Sequence, residues 1–216
     1  MSGYAAQAWN STARHGVPRI MTKFVEFFFD VGSPTAYLAW TQLPSIAENA
    51  GARVIWKPML LGGVFQATGN ASPANVPAKS LYMNADLARF AKRYRVPFRH
   101  NPAFPINTLM LMRGATGVLM RMPDCFVDYL RAVFDAMWVH PRNLNDPAEV
   151  AQTWQAADFD PAATLALASD ADVKGALRAT TDEAVSRGVF GAPTMFVGDQ
   201  MFFGQDRLDF VREALR

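Results

Sequence analysis

The stretch FFFDVGSPTAYLAW, Phe27–Trp40, sets the reading of the chain. It opens as an aromatic run too short for a buried helix, which predicts a central strand, KFVEFFFDV, over Lys23–Val31. At Ser33-Pro34 the pattern changes. Tyr37, Leu38, Leu43, Ile46 and Ala47 share one broad face of a helix ending near Gly51. RVIWKPML, Arg53–Leu60, reads as a second strand. A strand, a crossover helix and another strand imply a parallel pair with a right-handed connection. Serine is a favoured N-cap and proline a favoured first helical residue, so Ser33-Pro34 opens that helix whatever else it does.

Beyond Leu60 the chain reads as successive helices. LYMNADLARFAKRY, INTLMLMRGATGVLMRM, CFVDYLRAVFDAMW, PAEVAQTWQAA, PAATLALAS and DVKGALRATTDEAVSRG are separated by Pro, Gly and Asn-Asp punctuation, with no repeating period. Near the C-terminus, GAPTMFVGDQMFFGQDRLDFVREALR places strands at Thr194–Val197 and Met201–Phe203 around a Gly198-Asp199 turn. Leu208, Phe210, Val211 and Leu215 then follow at helical spacing.

Composition bounds the function classes. Of 216 residues, 50% are hydrophobic and 19% charged, which indicates a globular chain rather than a disordered one. A formal charge of +2 points to no nucleic-acid partner. No apolar run reaches the roughly 18 residues of a membrane span. Cys125 is the sole cysteine, so an internal disulfide, a CxxC pair and a cysteine-rich zinc cluster are excluded. It sits at the start of an amphipathic helix and reads as a small core or near-core residue; a cytoplasmic location follows most simply. His100 and His140 lie in polar, proline-bounded loops with neither carboxylate nor metal-ligand spacing, and no metal site is expected. Residues 1–21, including His15, lack an apolar signal core and read as a loose N-terminal extension.

The order strand, helix, strand, then much later strand, strand, helix, with Ala-Pro-Thr before the third strand, resembles the thioredoxin fold with an all-helical domain inserted between its two halves. The resemblance implies an α/β fold with a thioredoxin-like domain over 22–60 and 188–216 and an inserted helical domain over 61–187. It also implies a cis bond before Pro193 and places Ser33-Pro34-Thr35-Ala36 where thioredoxins carry CxxC. Without the cysteines, what remains is a hydroxyl at a helix N-terminus, a setting that favours nearby negative charge.

FDVGSP, KPMLLGGVFQATGNASPANVPAK and GVFGAPTMFVGDQMFFGQDRL together resemble the 2-hydroxychromene-2-carboxylate isomerases and the related kappa-class glutathione transferases over Lys23–Leu215. The resemblance implies glutathione as cofactor and Ser33 as the catalytic residue that hydrogen-bonds its sulfur. Ala192, beside Pro193, would pair through its backbone with the cysteinyl unit; Phe203, Gly204, Gln205 and Asp206 would complete the cofactor site, Asp206 holding the γ-glutamyl ammonium. Asn70 and Lys79, with Asn75 and Asn107, would line the substrate side. Phe203 stands where many isomerases have tryptophan, and Gln205 where relatives have asparagine or serine. Each residue also has a plainer reading: Asn70 closing a turn, Lys79 a solvated lysine, Asp206 capping the last helix.

The implied reaction is cis–trans isomerisation of 2-hydroxychromene-2-carboxylate to trans-o-hydroxybenzylidenepyruvate in naphthalene-type degradation, by a homodimer acting on a small aromatic carboxylate. A kappa-class-like transferase or peroxidase, and a non-catalytic thioredoxin-like binding scaffold, are the alternatives.

Overall fold

The computed structural model describes residues 23–216, so the extension expected over 1–21 lies outside the described residues. Strand β1 (Phe24–Phe29) carries three consecutive phenylalanines, Phe27, Phe28 and Phe29, all fully buried. A strand apolar at successive positions must have a core on both of its faces. β1 is followed by α1 (Pro34–Trp40), α2 (Leu43–Asn49) and β2 (Arg53–Pro58). The single helix expected over this region is therefore two. Pro44, in the first turn of α2, has no N–H to offer the Trp40 carbonyl, and Gln42 N–H turns back to Ala39 O at 3.1 Å. The five apolar positions expected on the helix face are all buried.

Between β2 and β3 the chain is helical: α3 (Leu61–Thr68), α4 (Pro77–Tyr94), α5 (Leu109–Arg121), α6 (Phe126–Trp138), α7 (Pro147–Gln155), α8 (Pro161–Ser169) and α9 (Ala171–Ser186). Six of these fall on the predicted segments; α3, with two glycines in its first turn, was not anticipated. Asp146, Asp160 and Asp170 cap α7, α8 and α9, accepting from Ala148 N at 2.9 Å, Ala163 N at 2.7 Å and Asp172 N at 2.7 Å. Strands β3 (Thr194–Val197) and β4 (Gln200–Phe203) form a hairpin at Gly198-Asp199, and α10 (Leu208–Ala214) closes the chain.

The sheet order is β2-β1-β3-β4. β1 runs parallel to β2, with Phe27 opposite Trp56, and antiparallel to β3, with Phe27 opposite Met195. This is the thioredoxin-like arrangement with helices inserted between its halves. On one face Phe27 and Phe29 join Tyr37, Leu38, Phe134 and Trp138 in a core that runs without interruption into the helical block. On the other, Phe28 packs with Met59, Val64, Ala184, Val189 and Phe196.

Cys125 does not join either core. It ends a short 3₁₀ turn and stands exposed ahead of α6, whose buried stripe starts one residue later at Phe126. His140 likewise departs from expectation, because its Nδ1 lies 2.9 Å from Asp135 Oδ2 on the surface. The Val139 and His140 amides both fold back onto the Asp135 carbonyl, which brings side chains five apart together.

Two helical glycines give opposite predictions. A Cβ at Gly114 of α5 collides with the Tyr129 hydroxyl, which is buried and donates to Leu111 O at 2.9 Å, whereas a Cβ at Gly175 of α9 meets nothing within 4 Å. Gly114→Ala is expected to destabilise by about 1–3 kcal/mol through overpacking, and Gly175→Ala to stabilise by about 0.5–1 kcal/mol through helix propensity. Urea midpoints of the two variants check both signs.

Candidate active site at the start of the first helix

Ser33 is 4% exposed and caps α1, its Oγ accepting the Ala36 N–H at 3.1 Å. The hydroxyl also reaches across the fold: it donates to the carbonyl of Ala192, 159 residues away, at 3.0 Å. Thr35 Oγ1 stands 3.0 Å from the same carbonyl and 2.8 Å from Ser33 Oγ. The Ala192-Pro193 peptide is cis, as the resemblance implies. Because α1 has only seven residues, its macrodipole amounts to little more than its first turn, and local donors dominate. Among them is the Thr35 N–H, which has no backbone partner among the described residues.

The turn ahead of Ser33 is held from beneath by Asp30, which sequence reasoning missed. Asp30 is 1% exposed; its Oδ1 accepts Gly32 N at 2.9 Å, and its Oδ2 accepts Leu61 N at 2.8 Å and Thr108 Oγ1 at 3.0 Å. Its own carbonyl takes the Ser33 N–H at 3.0 Å. Desolvation raises the carboxyl above its ordinary range, and the hydrogen bonds from Gly32, Leu61 and Thr108 oppose that shift. Gly32 is required by close approach, since a Cβ there would come within 2.8 Å of Thr108 Cγ2. An acid interrupting the apolar run FFFDV was the available signal.

The remaining expected residues fall into two groups. Pro193, Phe203, Gly204, Gln205 and Asp206 gather beside Ala192. Gly204 N donates to Pro193 O at 3.0 Å, with Gly204 at φ +99°, a region glycine enters freely. The half-exposed Phe203 ring covers Gly191 and packs on Phe190 at 4.6 Å. Gln205 is 6% exposed, and its carbonyl accepts the Tyr94 hydroxyl at 2.6 Å. Burial, and then the Asp209 carboxylate, push that phenol up to about 12, so it remains a donor at neutral pH. Asp206 is exposed and pairs with Arg207 at 2.6 Å; it does not cap the last helix, which has no side-chain cap. Asn70 is tied to this group, its Nδ2 donating to Phe190 O at 2.8 Å while its Oδ1 accepts Ala71 N at 2.9 Å.

Asn75, Lys79 and Asn107 form the second group, all exposed. Asn75 ends a short 3₁₀ turn and Lys79 lies in the first turn of α4. Asn107 precedes α5, where its N–H donates to Asn145 Oδ1 at 3.0 Å. It lines a hollow of about 420 Å³ with Arg113, Asn145 and Trp154, to which neither Ser33 nor Ala192 contributes.

A thioredoxin-like sheet with a serine-capped helix in place of a redox cysteine pair defines the class of protein. The DSBA-like thioredoxin domain matches residues 24–216. The 2-hydroxychromene-2-carboxylate isomerase of Sphingobium xenophagum is 34% identical over 200 residues, covering 90% of this chain and 99% of that protein. Glutathione S-transferase kappa 2 of Caenorhabditis elegans is 30% identical over 206 residues, covering 89% and 92%. A solved 2-hydroxychromene-2-carboxylate isomerase superposes with a TM-score of 0.79 at 28% identity, covering 89% of this chain and 94% of that one. The chain belongs to the DSBA-like thioredoxin family, within its 2-hydroxychromene-2-carboxylate isomerase group, and is an enzyme of the isomerase kind.

Asp30 generates a test of the turn. Asp30→Asn sets an amide donor against donors already in place, so a loss of about 1–3 kcal/mol is expected although a buried charge disappears. With the folded carboxyl raised, the native state holds a proton that the unfolded state has released. Stability from this group is therefore present below the unfolded value, 3.8, and is lost as pH rises through the folded one. Unfolding midpoints measured across that acid range should differ in slope between the two proteins; parallel profiles would remove the assignment.

Proposed function

We propose that the protein catalyses glutathione-dependent cis–trans isomerisation of 2-hydroxychromene-2-carboxylate, or a near relative of it, to trans-o-hydroxybenzylidenepyruvate. The observation that carries the reading is the Ser33 hydroxyl, buried at a helix start and 3.0 Å from the carbonyl that precedes Pro193. The residues present fit the cofactor's thiol: Ser33 has one hydroxyl proton to offer, and among the described residues the Thr35 N–H has no backbone partner. When bound, glutathione supplies a nucleophilic thiolate that adds reversibly to a conjugated double bond.

Ser33 donates its proton to the sulfur and so favours the anion. The Ala192 backbone, ahead of Pro193, pairs with the peptide-like ligand as an added strand would. Asp206 exchanges Arg207 for the γ-glutamyl ammonium; an exposed ion pair is worth at most about 1 kcal/mol, so the exchange costs little. Lys79, at the start of α4, supplies the cation for the substrate carboxylate, with Asn75 beside it. Asn70, whose amide is engaged with Phe190 and Ala71, shapes the wall of the site. Asn107, on the separate hollow, completes the proposed substrate residues.

Among the described residues no helix is long and apolar enough to cross a membrane. A homodimer in the cytoplasm, serving naphthalene-type degradation, completes the reading. The kappa-class relative at 30% identity supports a second one, glutathione transfer or peroxide reduction at the same serine.

Ser33→Ala is expected to lower isomerase turnover more than tenfold, since a hydrogen bond to a charged group contributes about 1.5–3 kcal/mol, while loss of the cap costs about 1 kcal/mol of stability. Turnover of 2-hydroxychromene-2-carboxylate, followed by absorbance with total thiol measured in parallel, checks this. Undiminished turnover in the variant would sink the role of Ser33. Consumption of thiol would favour the transferase.

A further inference from the structure

We infer that Thr35 is a positioning residue that frees the Ser33 proton for the ligand's sulfur by taking over the Ala192 carbonyl. The inference rests on the glutathione reading above and adds a residue that the sequence did not single out.

Three oxygens stand within hydrogen-bond distance of one another. Ser33 Oγ is 2.8 Å from Thr35 Oγ1, and each is 3.0 Å from the Ala192 carbonyl oxygen. Making all three contacts at once requires three protons, and the two hydroxyls carry two between them. One edge of the triangle is therefore always unmade. Rotation of a hydroxyl changes which edge that is, without moving a heavy atom.

The inventory at Ser33 is tighter still. Its Oγ already accepts the Ala36 N–H at 3.1 Å, so the group has one proton to give. Ala192 is 8% exposed, and a buried carbonyl left without a donor is costly. If Ser33 stood alone, its single proton would be contested between that carbonyl and an anionic sulfur, and each bond to the sulfur would take from the carbonyl its hydroxyl donor. With Thr35 Oγ1 at 3.0 Å, the carbonyl keeps a donor when Ser33 turns away. The position calls for a hydroxyl on the second residue of α1, which serine and threonine supply and valine, nearly the same shape, does not.

The experiment titrates the ultraviolet absorbance of the thiolate in protein saturated with glutathione, and measures glutathione affinity by calorimetry. The proteins compared are the unmodified chain, Thr35→Val, Thr35→Ser, Ser33→Ala and the double variant Ser33→Ala/Thr35→Val. Thr35→Val is expected to raise the thiol's titration midpoint toward that of Ser33→Ala and to weaken binding at neutral pH by about tenfold, the weight of one charge-assisted hydrogen bond. Thr35→Ser restores both. Because Thr35 acts through Ser33, adding Thr35→Val to Ser33→Ala moves the midpoint no further. A merely structural threonine would lower the melting temperature and leave the midpoint in place.

A Thr35→Val midpoint and affinity equal to those of the unmodified chain overturn the inference and leave the role of Ser33 standing. A further full shift in the double variant also overturns it, since Thr35 would then be touching the sulfur itself. Failure of the underlying reading looks different: the unmodified chain and Ser33→Ala share one midpoint, or neither binds glutathione.

Discussion

The placement of Ser33 depends on one buried carboxylate. Asp30 is satisfied by donors from three segments, the turn itself, the first residue of α3 and the threonine ahead of α5, and among the described residues no cation contributes to its environment. Burying an acid without a counter-ion raises its titration, and the hydrogen bonds from Gly32, Leu61 and Thr108 oppose that cost. The same feature makes the carboxylate an effective gauge of geometry, because any segment that shifts leaves it short of a donor in a dry setting. Two further contacts fix the next residue: Trp138 Nε1 donates to Val31 O at 2.8 Å, and Val31 N–H meets Met112 Sδ at 3.4 Å. The helical block thus sets the shape of the turn that presents the serine.

Topology brings the other half of the site. β1 pairs parallel to β2 from its own end of the chain and antiparallel to β3 from the other. The helix leaving its C-terminal end therefore starts beside the segment entering β3, and residues 159 apart meet. Phe28 anchors the reverse face under a roof of charge: Glu26 pairs with Arg187 at 2.8 Å, Lys57 and Arg187 both pair with Glu183, and the Arg187 guanidinium lies 3.8 Å from the Phe196 ring centre. These groups are partly sheltered and networked, so they lock β1, β2 and α9 together more firmly than isolated surface pairs do.

Much of this was legible in the chain. Three phenylalanines in a row announce a strand buried on both faces, Ser33-Pro34 announces a helix start, and the Asp-Pro pairs at 146–147 and 160–161 announce two more, because each signal is local and chemically specific. What escaped depends on tertiary partners. Pro44 was legible as a proline but not as the residue that divides a helix, because two apolar stripes stayed in phase across the break. Cys125 was assigned to a core from its neighbours' period, yet a shift of one residue at a helix start carries a side chain from inside to outside. Thr35 looked like filler within Ser-Pro-Thr-Ala; its meaning comes from a carbonyl 157 residues away. Asn70 matched a site motif by position, and the structure shows its amide spent on Phe190 and Ala71.

Under the proposed function, the scarcity of thiols in the chain has a chemical logic. Moving a substrate between cis and trans forms leaves it with the same atoms and electrons, so the protein has no need of a group that changes oxidation state, and its lone cysteine stands exposed just ahead of α6 rather than at the start of α1. What the reaction does demand is a thiol held as its anion without being consumed, and that calls for donors whose protons are shared but never surrendered. Hydroxyls meet the demand: with proton affinities far above neutrality they give hydrogen bonds without losing the proton, whereas a cysteine at the same place would offer a competing nucleophile and a route to a disulfide with the cofactor. Replacing the two cysteines of a dithiol by Ser33 and Ala36, with Thr35 between them, therefore turns a scaffold suited to electron transfer into one suited to reversible addition.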